Sequence, residues 1–319
     1  MINRTLIRTK VVQTLFGYYQ NEDSLPSEAR KQLLRSFADT YDLYILLLDF
    51  ASALTTYADE QLQERIARAQ ATHTPLRPNR RFIQNRFAEQ LFTNRRLRHE
   101  LEERHLSWES GESAVKAVYL SLVGTEWYKQ YMEQPESSYD EDKRLWRKIY
   151  SELLPANEAV LSALEEMELE LDHFTWVTDL DVVLSYVVKT VRKFRKDGGV
   201  DQELLEMFDS EDDLNFATSL LRNAIEHRAE YDKLIDANLK NWDPERVAWM
   251  DRVILLVALA EICNYPEIAL QISLNEYIEI AKEYSGEKNY FFINGILDGI
   301  IRQLKREDKL LKAEALEQE

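Results

Sequence analysis

Residues 273–298 read SLNEYIEIAKEYSGEKNYFFINGILD, and they decide the fold class. Ser273 and Glu276 have the spacing of a capping box that opens a helix, and Gly286 stands where a left-handed C-cap closes it. A second helix starts in KNYFFINGILDGIIRQLKRE, with Gly295 and Gly299 four apart, where a neighbouring backbone could approach closely. Upstream, NWDPERVAWMDRVILLVALAEI carries Asp243 as N-cap and Pro244 at the first helical position. The apolar run after it is hydrophobic on nearly every face, as a central bundle helix is. Over the whole chain of 319 residues there are eight glycines and seven prolines, and no glycine lies between Gly17 and Gly111. Long helices exclude both residues and hairpins need them, so the sequence predicts an all-α protein.

Hydrophobic residues make up 45% and charged residues 30%, which describes a globular chain with a sizeable core. The formal net charge of −17 argues against broad, non-specific binding to nucleic acid. Against that total, the opening MINRTLIRTKVVQTLFGYYQ holds Arg4, Arg8 and Lys10 and no acid. Ile7, Val11, Leu15 and Tyr18 share one face of this first helix, with Lys10, Gln13, Gly17 and Gln20 opposite. Arg4 and Arg8 point with the apolar face. Arginine is rarely buried unpaired, so the first turn is expected to project beyond the core. Cys263 is the only cysteine, which excludes an internal disulfide and reads as a buried structural thiol. The N-terminus has no signal-peptide pattern, and the apolar run Val253 to Ala260 is too short to span a bilayer. A cytoplasmic protein is expected.

Helices are predicted over 3–20, 27–71, 79–105, 112–134, 141–153, 156–172 and 174–196. NEDSLPSEAR, THTPLRPN, SWESGES and QPESS separate them, and KDGGV forms a turn. The acidic DQELLEMFDSEDD reads as a solvated connector. The closing AEALEQE is expected to fray.

No phosphate loop, dinucleotide fingerprint, H-E-x-x-H or G-x-S-x-G occurs. Glu102 with His105, and Glu170 with His173, have the E-x-x-H spacing of a carboxylate-bridged metal site. With so many glutamates two such pairs are unremarkable, and both read as solvated helix surface, so no metal or cofactor is expected. The stretch from Arg77 to Arg98 holds seven arginines interleaved with Phe82, Phe87 and Phe92. It reads as ion pairing with acids of this chain (for example around Glu165 to Asp172), as an auxiliary nucleic-acid contact, or as a protein contact.

The two ends of the chain resemble the NusB family of bacterial transcription antitermination factors. RTKVVQTLFGYYQ resembles the family's first helix. FATSLLRNAIEHRAEYDKLIDANLKNW, DRVILLVALAEI and SLNEYIEIAKEYSGEKNYFFINGILD follow the family's order and spacing. Asn275, Glu276, Ala281, Lys282, Phe292, Asn294, Gly295, Leu297 and Asp298 carry most of the likeness. It implies a NusB-like helical bundle of two small subdomains with an additional inserted bundle. Residues 1–20 and 214–306 would form the core, 21–213 an insertion of unknown role, and 307–319 a tail. The implied role is non-enzymatic: binding boxA-type single-stranded RNA with the ribosomal protein NusE, in a transcription elongation complex that reads through ribosomal RNA operons.

The expected RNA contacts are Arg4, Arg8, Lys10 and Gln13 on the first helix and Lys288, Asn289, Tyr290 and Phe292 at the last. Cations there neutralise phosphates, and an aromatic ring stacks an unpaired base. Many relatives carry an acid where this chain has Lys288 and a lysine where it has Phe291. Two other readings compete. One is a protein-only helical scaffold whose insertion makes protein contacts. The other is an RNA methyltransferase, for which no glycine-rich cofactor fold follows.

Overall fold

The computed structural model describes residues 1–21, 24–134, 138–239, 247–286 and 289–311, and among them it is all-α. In chain order the α-helices are α1 (Arg4–Gln20), α2 (Pro26–Ala71), α3 (Arg86–Phe92), α4 (Arg95–Arg104), α5 (Glu112–Gly124), α6 (Glu126–Glu133) and α7 (Tyr139–Lys148). There follow α8 (Glu158–Leu171), α9 (Trp176–Lys193), α10 (Glu211–Glu226), α11 (Arg228–Asn238), α12 (Trp249–Asn264), α13 (Leu270–Tyr284) and α14 (Asn289–Arg306). The chain forms two compact units, one of residues 1–37 with 208–319 and one of residues 38–207. These borders differ from the expected ones at 20 and 213, and α2 contributes to both units.

In the first unit α12 is the axis. Every residue from Val253 to Ala260 is fully buried, and α1, α10, α11, α13 and α14 all pack on it. A helix apolar on all faces can be stable only when neighbours cover all of it. Asp243 and Pro244 lie outside the described residues. Ser273 does not cap α13, which starts at Leu270. Its hydroxyl is buried within the helix and donates to Glu261 at 2.6 Å. Nor is Gly286 left-handed: the helix is capped by Ser285 in extended conformation. The acidic connector is more than solvated surface, because Leu204 and Leu205 are buried and Phe208 pairs with Ile2 in an isolated parallel bridge.

In the second unit the apolar middle of α2, from Tyr41 to Phe50, is the buried axis. Large aromatics close on it with their polar atoms satisfied by its carbonyls. Trp176 donates to Asp39 O at 2.8 Å, Trp108 to Leu46 O at 2.8 Å, and Tyr150 to Leu47 O at 3.0 Å. This is how tryptophan and tyrosine enter a core without stranding a donor. The helix expected over 79–105 is broken by two buried asparagines. Asn85 caps α3 and Asn94 caps α4, each side chain taking amides that a continuous helix would have bonded internally. Thr125 likewise separates α5 from α6.

His173 is not on solvated surface. Its Nδ1 lies 2.9 Å from Asp39 and its Nε2 3.5 Å from Asp42, and its ring packs on Trp176. Among the described residues no group of three or more His, Cys, Asp or Glu could hold a metal ion. The arginine-rich stretch is largely ion-paired within its own unit. Arg81 meets Glu141 at 3.5 Å, Arg95 meets Asp201 at 3.1 Å, Arg96 meets Glu206 at 2.7 Å, and Arg98 meets Asp49. These are not the acids of α8 that the sequence suggested. Among the described residues no helix is long and apolar enough to cross a membrane.

Candidate nucleic-acid interface

The start of α1 is fastened before it is functional. Asn3 caps the helix by accepting the Leu6 amide at 2.9 Å, and the N-terminal ammonium meets Asp209 at 3.2 Å. Arg4 stays largely exposed. It reaches Asp213 at 3.5 Å, and its guanidinium lies 5.0 Å above the Phe216 ring. An exposed pair of that length is weak, so Arg4 keeps most of its capacity for an external anion.

Arg8 does not project from the fold as expected. It is 3% exposed and forks onto Glu261, with Nε to Oε2 at 2.7 Å and Nη2 to Oε1 at 2.9 Å. Glu276 Oε2 lies a further 3.4 Å from Nη1. The Glu261 carboxylate also accepts from Ser273 and, at 3.0 Å, from the Tyr277 hydroxyl. Burial pushes this carboxyl up, but the hydrogen bonds and charge of Arg8, with Ser273 and Tyr277, outweigh it and hold it below its ordinary value. The Tyr277 hydroxyl is pushed well up by burial and by the same carboxylate. Lys10 is also fully buried. Arg8 and Lys10 are therefore corrected from surface contacts to interior residues of the first unit. The physical reason for Arg8 is a partner fixed 253 positions away in sequence.

At the other end, Gln13 is half-buried and donates to the Tyr284 hydroxyl at 3.2 Å, which ties α1 to the end of α13. Asn289, the first residue of α14, donates to Asp251 at 3.0 Å, and Ser285 donates to the same carboxylate. Burial raises the Asp251 carboxyl, and these two donors offset part of that. Lys288 lies outside the described residues. Phe292 enters the core with Ile293, Ile296 and Ile300, so it is corrected from a stacking ring to a packing residue.

The exposed ring is Phe291, 63% accessible. The half-buried Tyr290 ring lies 4.1 Å from it, and Lys282 Nζ sits 5.5 Å from the centre of the Tyr290 ring. Asn294 and Gly295 are exposed on the same helix. The arrangement offers one accessible aromatic face, adjacent amide groups and a cation, which suits an unpaired base with its phosphate. The sequence offers Tyr290, Phe291 and Phe292 alike as stacking rings, and exposure singles out Phe291. The signal lay in the helical period, since Phe292, Ile296 and Ile300 share one face and Phe291 falls outside it.

The NusB family model matches residues 177–302. The match begins within α9 and leaves out α1. The transcription antitermination protein NusB of Ligilactobacillus salivarius is 39% identical over 101 residues, covering 31% of this chain and 76% of that protein. The namesake from Methylacidiphilum infernorum is 33% identical over 118 residues, covering 36% and 82%. That from Finegoldia magna is 31% identical over 121 residues, covering 36% and 88%. No solved structure matches the chain significantly. With the family model spanning α10 to α14 and more than two thirds of each relative's length aligned, this chain belongs to the NusB family.

Proposed function

We propose that this protein is a transcription antitermination factor. It binds boxA-type single-stranded RNA together with the ribosomal protein NusE and joins the transcription elongation complex at ribosomal RNA operons. The observation that carries this reading is its likeness to proteins named for transcription antitermination, aligned over most of their length. The role is one of binding, not catalysis. Arg4, Gln13, Lys288, Asn289 and Tyr290 form the contact set, with the exposed Phe291 as the stacking ring. Arg8 and Lys10 serve by holding α1 in position.

An electrophoretic shift with boxA RNA, with and without NusE, tests this. Binding should tighten with NusE and weaken in Phe291→Ala by roughly 1–3 kcal/mol, the worth of one stacked base. Equal affinity for boxA and scrambled RNA, indifferent to NusE, would overturn it. The scaffold reading draws support from the exposed Phe92, Leu120, Leu169 and Phe174 of the second unit. It requires activity to survive Arg4→Glu combined with Phe291→Ala.

A further inference from the structure

A second polar recess lies in the first unit. Arg30, on the first turns of α2, and Arg222, on the exposed side of α10, line one cleft of about 650 Å³. Leu221 and Ile225 give it an apolar floor, while Asn215 and Thr218 place polar side chains on its wall. Ser27 stands at its rim in the first turn of α2, where backbone amides favour anions. Both arginines are exposed, and among the described residues neither forms an ion pair. Glu226 also lines the cleft, one turn beyond Arg222, without reaching ion-pair distance of either cation. The volume is that of a small-ligand site and suits one nucleotide. Two guanidinium groups on separate helices suit a phosphate, which each can bind with a fork of parallel N–H donors. The floor suits the face of a base.

We propose that this cleft binds a single phosphorylated nucleotide, its phosphate held between Arg30 and Arg222. For a nucleotide within an RNA chain, which rests on the antitermination reading, the cleft lengthens the RNA path beyond Arg4. The same chemistry would hold a free mononucleotide.

The test compares the full chain with the double variant Arg30→Gln, Arg222→Gln, after equal melting temperatures show that both are folded. Each is titrated with boxA-type RNA across a range of salt, and separately with adenosine monophosphate. Losing the one phosphate that the two arginines share should lower the slope of log affinity against log salt by about 0.7, the value per phosphate for single strands. The loss of affinity between roughly 50 and 200 mM salt then becomes about 2.6-fold smaller. Binding of adenosine monophosphate should disappear in the variant. If the mononucleotide binds and is lost in the variant while RNA is not bound at all, the cleft stands and the antitermination reading falls. If boxA RNA binds both proteins with one salt slope and the mononucleotide binds neither, the cleft falls and the antitermination reading stands. If the wild type binds neither ligand, both fall.

Discussion

The Arg8–Glu261 pair is the residue on which the first unit turns. Both side chains are almost fully enclosed, and each has its charge met by the other with good geometry. Breaking such a pair from one side is costly because it leaves a buried charge without a partner. Glu261→Gln should therefore destabilise the first unit by about 3–5 kcal/mol, read as the loss of a denaturation midpoint. Its pH dependence has a definite sign. The folded carboxyl titrates below its unfolded value, so the pair's contribution is complete above the ordinary carboxylate range and is lost as pH falls through the folded value. The gap in stability between wild type and Glu261→Gln should then narrow as pH falls below about 4. A gap that stays constant down to acid unfolding would show that the pair contributes no charge energy. Arg8 also shows what the sequence alone withheld. A lone arginine on an apolar helix face reads as a projecting end until its distant carboxylate is known.

At the scale of the element, two glycines are informative because nothing in the fold requires them. Gly17 in α1 and Gly295 in α14 are exposed, and a Cβ added at either would meet no atom within 4 Å. Inside a helix each costs roughly 0.5–1 kcal/mol relative to alanine. Gly17→Ala and Gly295→Ala should each raise stability by about that much, or a few degrees in melting temperature. Should RNA or NusE press closely on α14, Gly295→Ala will bind more weakly while melting higher. Gly299 behaves differently, since a Cβ there would meet the Asn238 side-chain oxygen at 2.8 Å. Asn238 is held by Leu234 O and by Gln303, so Gly299→Ala should destabilise. Of the two glycines that sequence spacing marked for close approach, Gly299 alone has a neighbour upon it. Helix ends were legible only in part for the same reason. Asn85 and Asn94 cap helices because their side chains are buried beside free amides, and burial is not written in a single sequence.

At the scale of the molecule, the chain leaves the first unit after Phe37 and re-enters it at Phe208. Phe37 and Phe208, the last and first residues of the first unit around that excursion, pack edge to face with ring centres 5.3 Å apart. A chain in which a few glycine and serine residues replace 38–207 should therefore fold, because bridging so short a gap costs little closure entropy. One cooperative melt by circular dichroism is the expected result. An unfolded product would show that the first unit depends on the second. If the antitermination reading holds, the shortened protein also keeps boxA binding.

Composition and punctuation determined the helical class. A chain with so few glycines and prolines has no turns for a sheet, and an all-apolar helix such as α12 demands a bundle around it. Local sequence also carried the family, through the ordered segments of the C-terminal third. Tertiary structure decided which charges remain available. Arg4 and Arg8 stand one turn apart on α1, yet Arg4 stays exposed and Arg8 is enclosed with Glu261. Exposure of a charged side chain depends on whether a distant partner compensates the loss of water. That partner is supplied by the packing of α1 on α12, and no local pattern contains it.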